Sequence, residues 1–286
     1  MKINKTYNKF KEIEEVFQCP ICKDSMELND EGSFVCSNRH CFDLSSKGYI
    51  NFIPNQKQIK YRKNLFENRQ EVFLNGFYDN ILMEIQNIIV DYFKFKKFIN
   101  ILDAGCGEGY YSLKLDCEDK IKENIFAMDI VKDAIKIASK EHSSVKWIVG
   151  DISNIPLKRN SIDVIINILT PSRYDEFTRI LSDNGIVIKV IPGNDYLQEI
   201  RNSIIGQLKN KSYSNEKVME HFKDNMKFIK KKKVKYRLPV SKHQLACFLE
   251  MTPMTFGIDT SKVNLDNINY ITIDLEVLLG MKKTNI

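Results

Sequence analysis

No stretch of about 18 apolar residues occurs in this 286-residue chain, so no segment is long enough to cross a bilayer as a helix. The opening residues Met1-Lys2-Ile3-Asn4-Lys5 lack an apolar signal core, and the expectation is a cytoplasmic protein with no membrane partner. There is no internal repeat and no long low-complexity tract, which excludes solenoids and repeat arrays. A disulfide framework is missing too. The cysteines number seven, an odd count, and four of them crowd between positions 19 and 41, the pattern of reduced thiols that serve a metal. Nor is the charge strongly of one sign: a formal net charge of +6 argues only weakly for an acidic partner.

What is present divides into three parts. Residues 1–18 alternate basic and acidic side chains and read as a poorly ordered or loosely helical lead-in. Residues 19–57 form a small module. A polar linker over 56–63, with Lys57, Lys60, Arg62 and Lys63, then opens a large domain over 58–286. In the module the spacing is Cys19-x2-Cys22-x13-Cys36-x3-His40. Thiolates and an imidazole from two separate turns close a tetrahedron that suits zinc and leaves no open position, so the site is structural. Cys41 follows His40 and is the alternative fourth ligand, since adjacent side chains point apart. Short strands over 42–44 and 48–53 complete the module.

The large domain is organised around residues 98–111. Phe98, Ile99, Ile101 and Leu102 read as a buried parallel strand ending in Asp103, followed by Gly105, Gly107 and Gly109 and a helix opening at Tyr110. A dinucleotide fingerprint would place its third glycine one residue later. The pattern Asp103-x-Gly105-x-Gly107-x-Gly109 instead resembles motif I of the class I methyltransferases that use S-adenosylmethionine (SAM). Apolar strands recur at 125–129, 145–149, 163–168 and 186–191, with a helix over 131–141, which predicts a mainly parallel sheet. Two later strands at 228–240 and 270–279 follow, and helices at 64–77 and 79–93 precede the first strand. Asp129 closes the second strand, where a carboxylate accepts ribose hydroxyls, and Asp151 closes the third, where it accepts from an adenine amino group. Residues Asn167-Ile168-Leu169-Thr170 lack the Asn/Asp-Pro-Pro-aromatic motif of exocyclic-amine methylation, which argues against adenine-N6 chemistry. Between 209 and 242, 12 Lys or Arg face 3 acids. This is either a solvated face or a phosphate-binding surface.

The Cys19-Pro-x-Cys22 and Cys36-x3-His40 module followed by Lys47-Gly48-Tyr49-Ile50-Asn51, the stretch Arg69-x3-Phe73-Leu74-x-Gly76-x-Tyr78, motif I through Tyr111, and Met251-Thr252-Pro253 together resemble the RlmA/TlrB type of 23S rRNA (guanine-N1)-methyltransferase. The resemblance covers nearly the whole chain. It implies a Rossmann-like class I fold with a seven-stranded, mainly parallel sheet and a small zinc module. It further implies zinc at Cys19, Cys22, Cys36 and His40, and SAM contacts from Tyr78, Gly107, Glu108 and Tyr196. With the motif residues Asp103, Gly105, Gly109, Asp129 and Asp151, and Ile130 and Ile152 after two of the acids, this makes the expected cofactor set. Members methylate N1 of a guanine in the hairpin 35 loop of 23S rRNA, and one branch thereby confers resistance to macrolides such as tylosin. A 23S rRNA hairpin is therefore the implied partner, and a homodimer is compatible with this reading. The expected docking uses the zinc module, the linker and part of 209–242, with the target guanine turned into a pocket beside Thr170 and Pro171.

Guanine N1 must shed a proton as it takes the methyl. Asp175 and Glu176 are carboxylates on the correct side of the sheet for that task, but equally they are acids favourable to a helix N-terminus. Two rivals differ in class. An inactive zinc-module RNA-binding protein would not bind SAM, and a small-molecule methyltransferase would ignore rRNA.

Overall fold

A computed structural model describes residues 2–53, 64–115, 121–141, 143–208, 214–259 and 263–283. The basic linker with Lys57, Lys60, Arg62 and Lys63, together with Cys117, Lys209 and Lys211, lies outside the described residues.

The chain opens with helix α1 (Lys2–Lys11), then a small ribbon of three antiparallel strands, β1 (Met26–Leu28), β2 (Ser33–Cys36) and β3 (Cys41–Asp43), then β4 (Tyr49–Asn51). Helices α2 (Leu65–Leu74) and α3 (Asp79–Phe93) lead into the alternating part: β5 (Phe98–Ala104), α4 (Tyr110–Lys114), β6 (Lys122–Asp129), α5 (Lys132–Ala138), β7 (Lys146–Val149), β8 (Ile162–Ile168), α6 (Tyr174–Ile180) and β9 (Leu181–Pro192). After α7 (Gln198–Ser203) and α8 (Glu216–Asn225), β10 (Lys227–Pro239), α9 (Lys242–Met251) and β11 (Tyr270–Met281) close the domain.

Strand periodicity divides the core in two. In β5, Ile99 and Ile101 point to the face covered by α3, while Leu102 and Ala104 point to the opposite one. The sheet order is β10-β11-β9-β8-β5-β6-β7-β4, with β11 antiparallel to both neighbours and the strands from β9 to β4 parallel. Seven of these strands are the expected ones. The eighth is β4, read in the sequence as part of the small module; its register Ile50↔Ile148 makes it the parallel edge beside β7.

The N-terminal extension also differs from expectation. Its helix, α1, lies within the expectation of a loosely helical lead-in, but the extension is not loose: Phe10 and Phe17 are fully buried. Phe17 sits 4.8 Å from Phe34 of the ribbon and 5.8 Å from Phe126 of β6, ring centre to ring centre. Thr6 and Phe10 share one face of α1, and Ile13 and the extended Phe17 beyond its end are buried with Phe10 against the same side of the sheet. Burying one such aromatic contributes roughly 1.5–3 kcal/mol, enough to hold a short extension that charge alternation alone would leave loose.

The lysine-rich strand β10 is the other edge of the sheet, and its first seven residues are exposed. Its charges are largely spoken for by ion pairs: Lys231 with Glu276 at 3.1 Å, Lys232 with Glu84 at 2.5 Å, Lys233 with Asp274 at 3.4 Å and Lys235 with Asp195 at 2.5 Å.

Candidate active site and metal site

At the carboxyl ends of β5, β6, β7, β8 and β9 lies an open cleft of about 1400 Å³. Tyr78, Gly105, Gly107, Asp129, Ile130, Asp151, Ile152 and Tyr196 of the expected cofactor set line it, together with Arg69, Thr170, Pro171 and Lys189. Asp103, Glu108 and Gly109 lie beneath the lining, as supports of the loop.

The loop is held from below. The Gly105 and Cys106 N–H groups both donate to the Met128 carbonyl, at 2.8 and 3.1 Å. Gly105 has a φ of +86°, and a Cβ there would come within 2.7 Å of the Thr170 side chain. The glycine thus lets the loop that follows β8 lie directly against the loop that follows β5. Asp103 accepts from Ser112 Oγ at 2.6 Å, and burial pushes its carboxyl up to about 7. Asp129 accepts from the Gly107 N–H at 2.9 Å and the Val131 N–H at 2.8 Å. Burial raises its pKa, with those amides opposing. Each of its oxygens keeps a second lone pair, so ribose hydroxyls can still be accepted. Asp151 accepts from the Ser153 N–H at 2.8 Å. Across the cleft Tyr78 and Tyr196 share a hydroxyl hydrogen bond of 2.6 Å.

Two further residues in the cleft wall were not singled out in the sequence as site residues. Arg69 on α2 pairs through Nε with the buried Glu108 at 3.1 Å and lies 5.2 Å from the centre of the Phe73 ring. Its guanidinium carbon would sit 3.6 Å from a Cβ on Gly107. Its signal was an Arg four residues before a buried Phe, which turns a cation toward the apolar side of a helix. Lys189 is buried in the middle of β9, and its Nζ donates to Asn167 Oδ1 at 2.6 Å and to the Thr170 carbonyl. A lysine inside the run Ile-Val-Ile-Lys-Val-Ile was its signal.

Asp175 and Glu176 do not reach the cleft. Asp175 is exposed and pairs with Arg173 at 3.2 Å. Glu176 contacts Arg179 with both oxygens at 2.7 Å and accepts the Ile155 N–H at 2.7 Å. Burial works against its ionisation, but Arg179 and that amide outweigh it and hold the carboxyl below its ordinary range. Glu176 ties α6 to the loop after β7, so neither acid is placed to take a proton from a base in the cleft.

In the ribbon, the ligand atoms of Cys19, Cys22, Cys36 and His40 lie within 4.8 Å of one another. Cys22 Sγ and Cys36 Sγ are 3.6 Å apart, and His40 Nδ1 is 3.5 Å from Cys19 Sγ and 3.4 Å from Cys36 Sγ. A tetrahedral zinc with bonds of about 2.3 Å to sulfur and about 2.05 Å to nitrogen needs edges of about 3.8 and 3.6 Å, so the four residues fit that ion. Cys41 is exposed and turns to Asp43 instead, 3.7 Å away. The ribbon also touches the cofactor side: Asn154 Nδ2 donates to the Pro20 carbonyl at 3.0 Å, and the Gln18 N–H to Pro156 at 3.1 Å.

Known proteins carry the same two parts. A family model described as "RlmA, N-terminal", a zinc ribbon, matches residues 17–60, and one described as "Methyltransferase domain" matches residues 95–244. YxjB of Bacillus subtilis (strain 168), provisionally named a 23S rRNA (guanine-N1)-methyltransferase, is 32% identical over 274 residues, covering 93% of this chain and 97% of the relative. The 23S rRNA (guanine(748)-N1)-methyltransferase of Streptomyces fradiae is 20% identical over 272 residues, covering 93% and 96%. A solved complex of the Haloferax volcanii Trm112 methyltransferase activator with a methyltransferase shares the fold, with a TM-score of 0.50 and 13% identity over 79% of this chain and 100% of that one. The glycine loop, the strand-end acids and the half-buried Arg69 fit SAM as the four ribbon ligands fit zinc, and the chain belongs to the RlmA-type family of SAM-dependent 23S rRNA (guanine-N1)-methyltransferases.

Proposed function

We propose that this protein methylates N1 of a guanine in the hairpin 35 loop of 23S rRNA, and that its zinc ribbon helps to hold that hairpin. The observation that carries the reading is the end-to-end match to relatives named for guanine-N1 methylation, combined with a cleft that runs from the glycine loop to Thr170 without a break. Bound SAM supplies an electrophilic methyl group, which guanine N1 receives as the carbon–sulfur bond breaks.

The chain's own residues do the rest. Asp129 takes the ribose hydroxyls and Asp151 the adenine amino group, with Ile130 and Ile152 against the adenosine. Tyr78, Tyr196 and the Gly105–Gly109 loop enclose the amino-acid end, and Arg69 offers a guanidinium to its carboxylate. Beside them Thr170 and Pro171 border the space for the base, which must leave its stack to enter, a smaller cost in a hairpin loop than in a duplex. Exposed cations at the rim, Arg173 and Lys217, suit the phosphates that follow such a base. The linker cations Lys57, Lys60, Arg62 and Lys63, which lie in sequence between the ribbon and the large domain, belong to the same docking reading. Resistance to macrolides would follow from the modified loop.

Mass mapping of 23S rRNA from cells with and without the protein tests the reading. One added methyl on a single guanine of the hairpin 35 loop is expected. A methyl elsewhere in the rRNA overturns the hairpin assignment, and none overturns the activity.

A further inference from the structure

Among the cations that line the cleft, one is buried and is not explained by the cofactor. Lys189 stands on β9 opposite Asn167 of β8, on the sheet face away from α3. Its residue is only 4% exposed, yet it lines the cleft where Thr170 and Pro171 do. An ammonium has three N–H donors. One goes to Asn167 Oδ1 at 2.6 Å and one to the Thr170 carbonyl, which leaves the third. Asn167 is itself pinned, donating to the Ala104 carbonyl at 2.9 Å and the Pro171 carbonyl at 3.1 Å and accepting from Ser172 Oγ at 2.8 Å, so the lysine head is held in place. No carboxylate pairs with it among the described residues. The charged and titratable groups on neighbouring elements are otherwise engaged: Arg173 pairs with Asp175, and Tyr174 on α6 packs on His221 of α8, 5.1 Å between ring centres. A buried cation without a counter-ion is costly unless a ligand brings negative charge to it.

We propose that Lys189 receives O6 of the target guanine, selecting guanine over adenine and stabilising the base as N1 loses its proton. The inference rests on the guanine-N1 reading above. Adenine presents an amino group where guanine presents a carbonyl, and an ammonium with its other two hydrogens engaged can donate to the carbonyl but not to the amino group. When the N1–H bond breaks, the proton passes to water and the electron pair stays on the ring, shared between N1 and O6. The pair at N1 then forms the new bond to carbon, while Lys189 holds the charge that gathers on O6. Burial lowers the lysine to about 8, so it is charged at neutral pH and loses its charge just above.

The test is methyl transfer to a 23S rRNA transcript across pH 6.5–9.5, with Lys189→Met and Lys189→Arg beside the parent, and with SAM affinity measured in each. Lys189→Met should lower kcat by about 100-fold, the scale of losing one donor to a developing oxyanion, with SAM affinity and the RNA KM within threefold. The parent rate should rise with pH as N1 ionises and then break near 8. Lys189→Arg should keep at least a tenth of the activity and lose that break, because a guanidinium stays charged. A parent profile without the break, a break that survives in Lys189→Arg, or a kcat for Lys189→Met within threefold of the parent each overturns the assignment. A Lys189→Met protein that has lost SAM affinity in step with activity makes the lysine a mere prop for Thr170, and also overturns it. A parent that methylates no guanine in the transcript overturns the guanine-N1 reading itself, and this inference with it.

Discussion

Two adjacent parts of one sheet use lysine in opposite ways. Strand β10 carries four consecutive lysines, Lys230 to Lys233, on an exposed edge, and at least three of them face acids on β11 and α3. Strand β9 carries a single lysine, buried, with no acid paired to it among the described residues. By charge counting the first region is the candidate for a polyanion and the second is noise. By partners the order reverses. A paired, exposed cation is already satisfied and contributes little, whereas an unpaired buried one is retained only where something else completes it. The run on β10 does answer a different need: charged side chains on an edge strand discourage pairing with another chain.

That contrast can be broken or sharpened by mutation. After Lys189→Met, the largest effect expected is for Arg69→Met. Arg69 is a half-way case, a cation paired through Nε with one buried acid, whose outer nitrogens meet no other acid among the described residues. Losing a charged hydrogen bond of this kind costs about 1.5–3 kcal/mol, so calorimetric titration should show SAM affinity down by about 10- to 150-fold, with the fold kept. A dissociation constant within threefold of the parent would assign Arg69 to Glu108 alone. Within β10, Lys233 stands apart because its acid, Asp274, is fully buried. Lys233→Met leaves that carboxylate short of a partner and should destabilise the protein by about 1–2 kcal/mol in urea unfolding, discounted because the lysine end is wet. The smallest effect belongs to Lys231→Gln with Lys235→Gln. Both lysines are exposed, and the double change should shift stability by less than about 1 kcal/mol and hairpin affinity by less than about threefold. A tenfold loss of hairpin affinity from this pair would return β10 to the role of an RNA surface.

Much of this was legible in the sequence. The seven strands of the methyltransferase domain announced themselves because parallel strands buried on both faces read as apolar runs. The zinc ligands did so because Cys-x2-Cys and Cys-x3-His spacings have few other uses. Gly105, Gly107, Asp129 and Asp151 came together in one cleft as the strand-end rule requires. What escaped was whatever depended on a distant partner. β4 is three residues long, and only β7, about a hundred residues away, makes it a strand of the large sheet. The lead-in looked loose because the partner of its Phe17, Phe126, lies as far off in sequence. Glu176 looked free for chemistry because nothing near it in sequence, apart from Arg179, shows that the Ile155 amide occupies it.

The place of β11 in the sheet sets an order of assembly. It is bonded to β9 on one side and β10 on the other, so β10 has no partner of its own until β11 has been made. The parallel half, β4 to β9, closes from residues 49–192 alone, while the antiparallel half waits for residues 270–281. A ribosome-bound chain halted between the two stages would hold a finished cofactor loop and a dangling strand of lysines. Pairing of β11 with β9 would dock two strands at once. It also seats Asp274 beneath Gly193, which completes the stretch leading to Tyr196. Loss of β11 would remove an interior member of the sheet, not an edge, and strand the lysine ribbon with it.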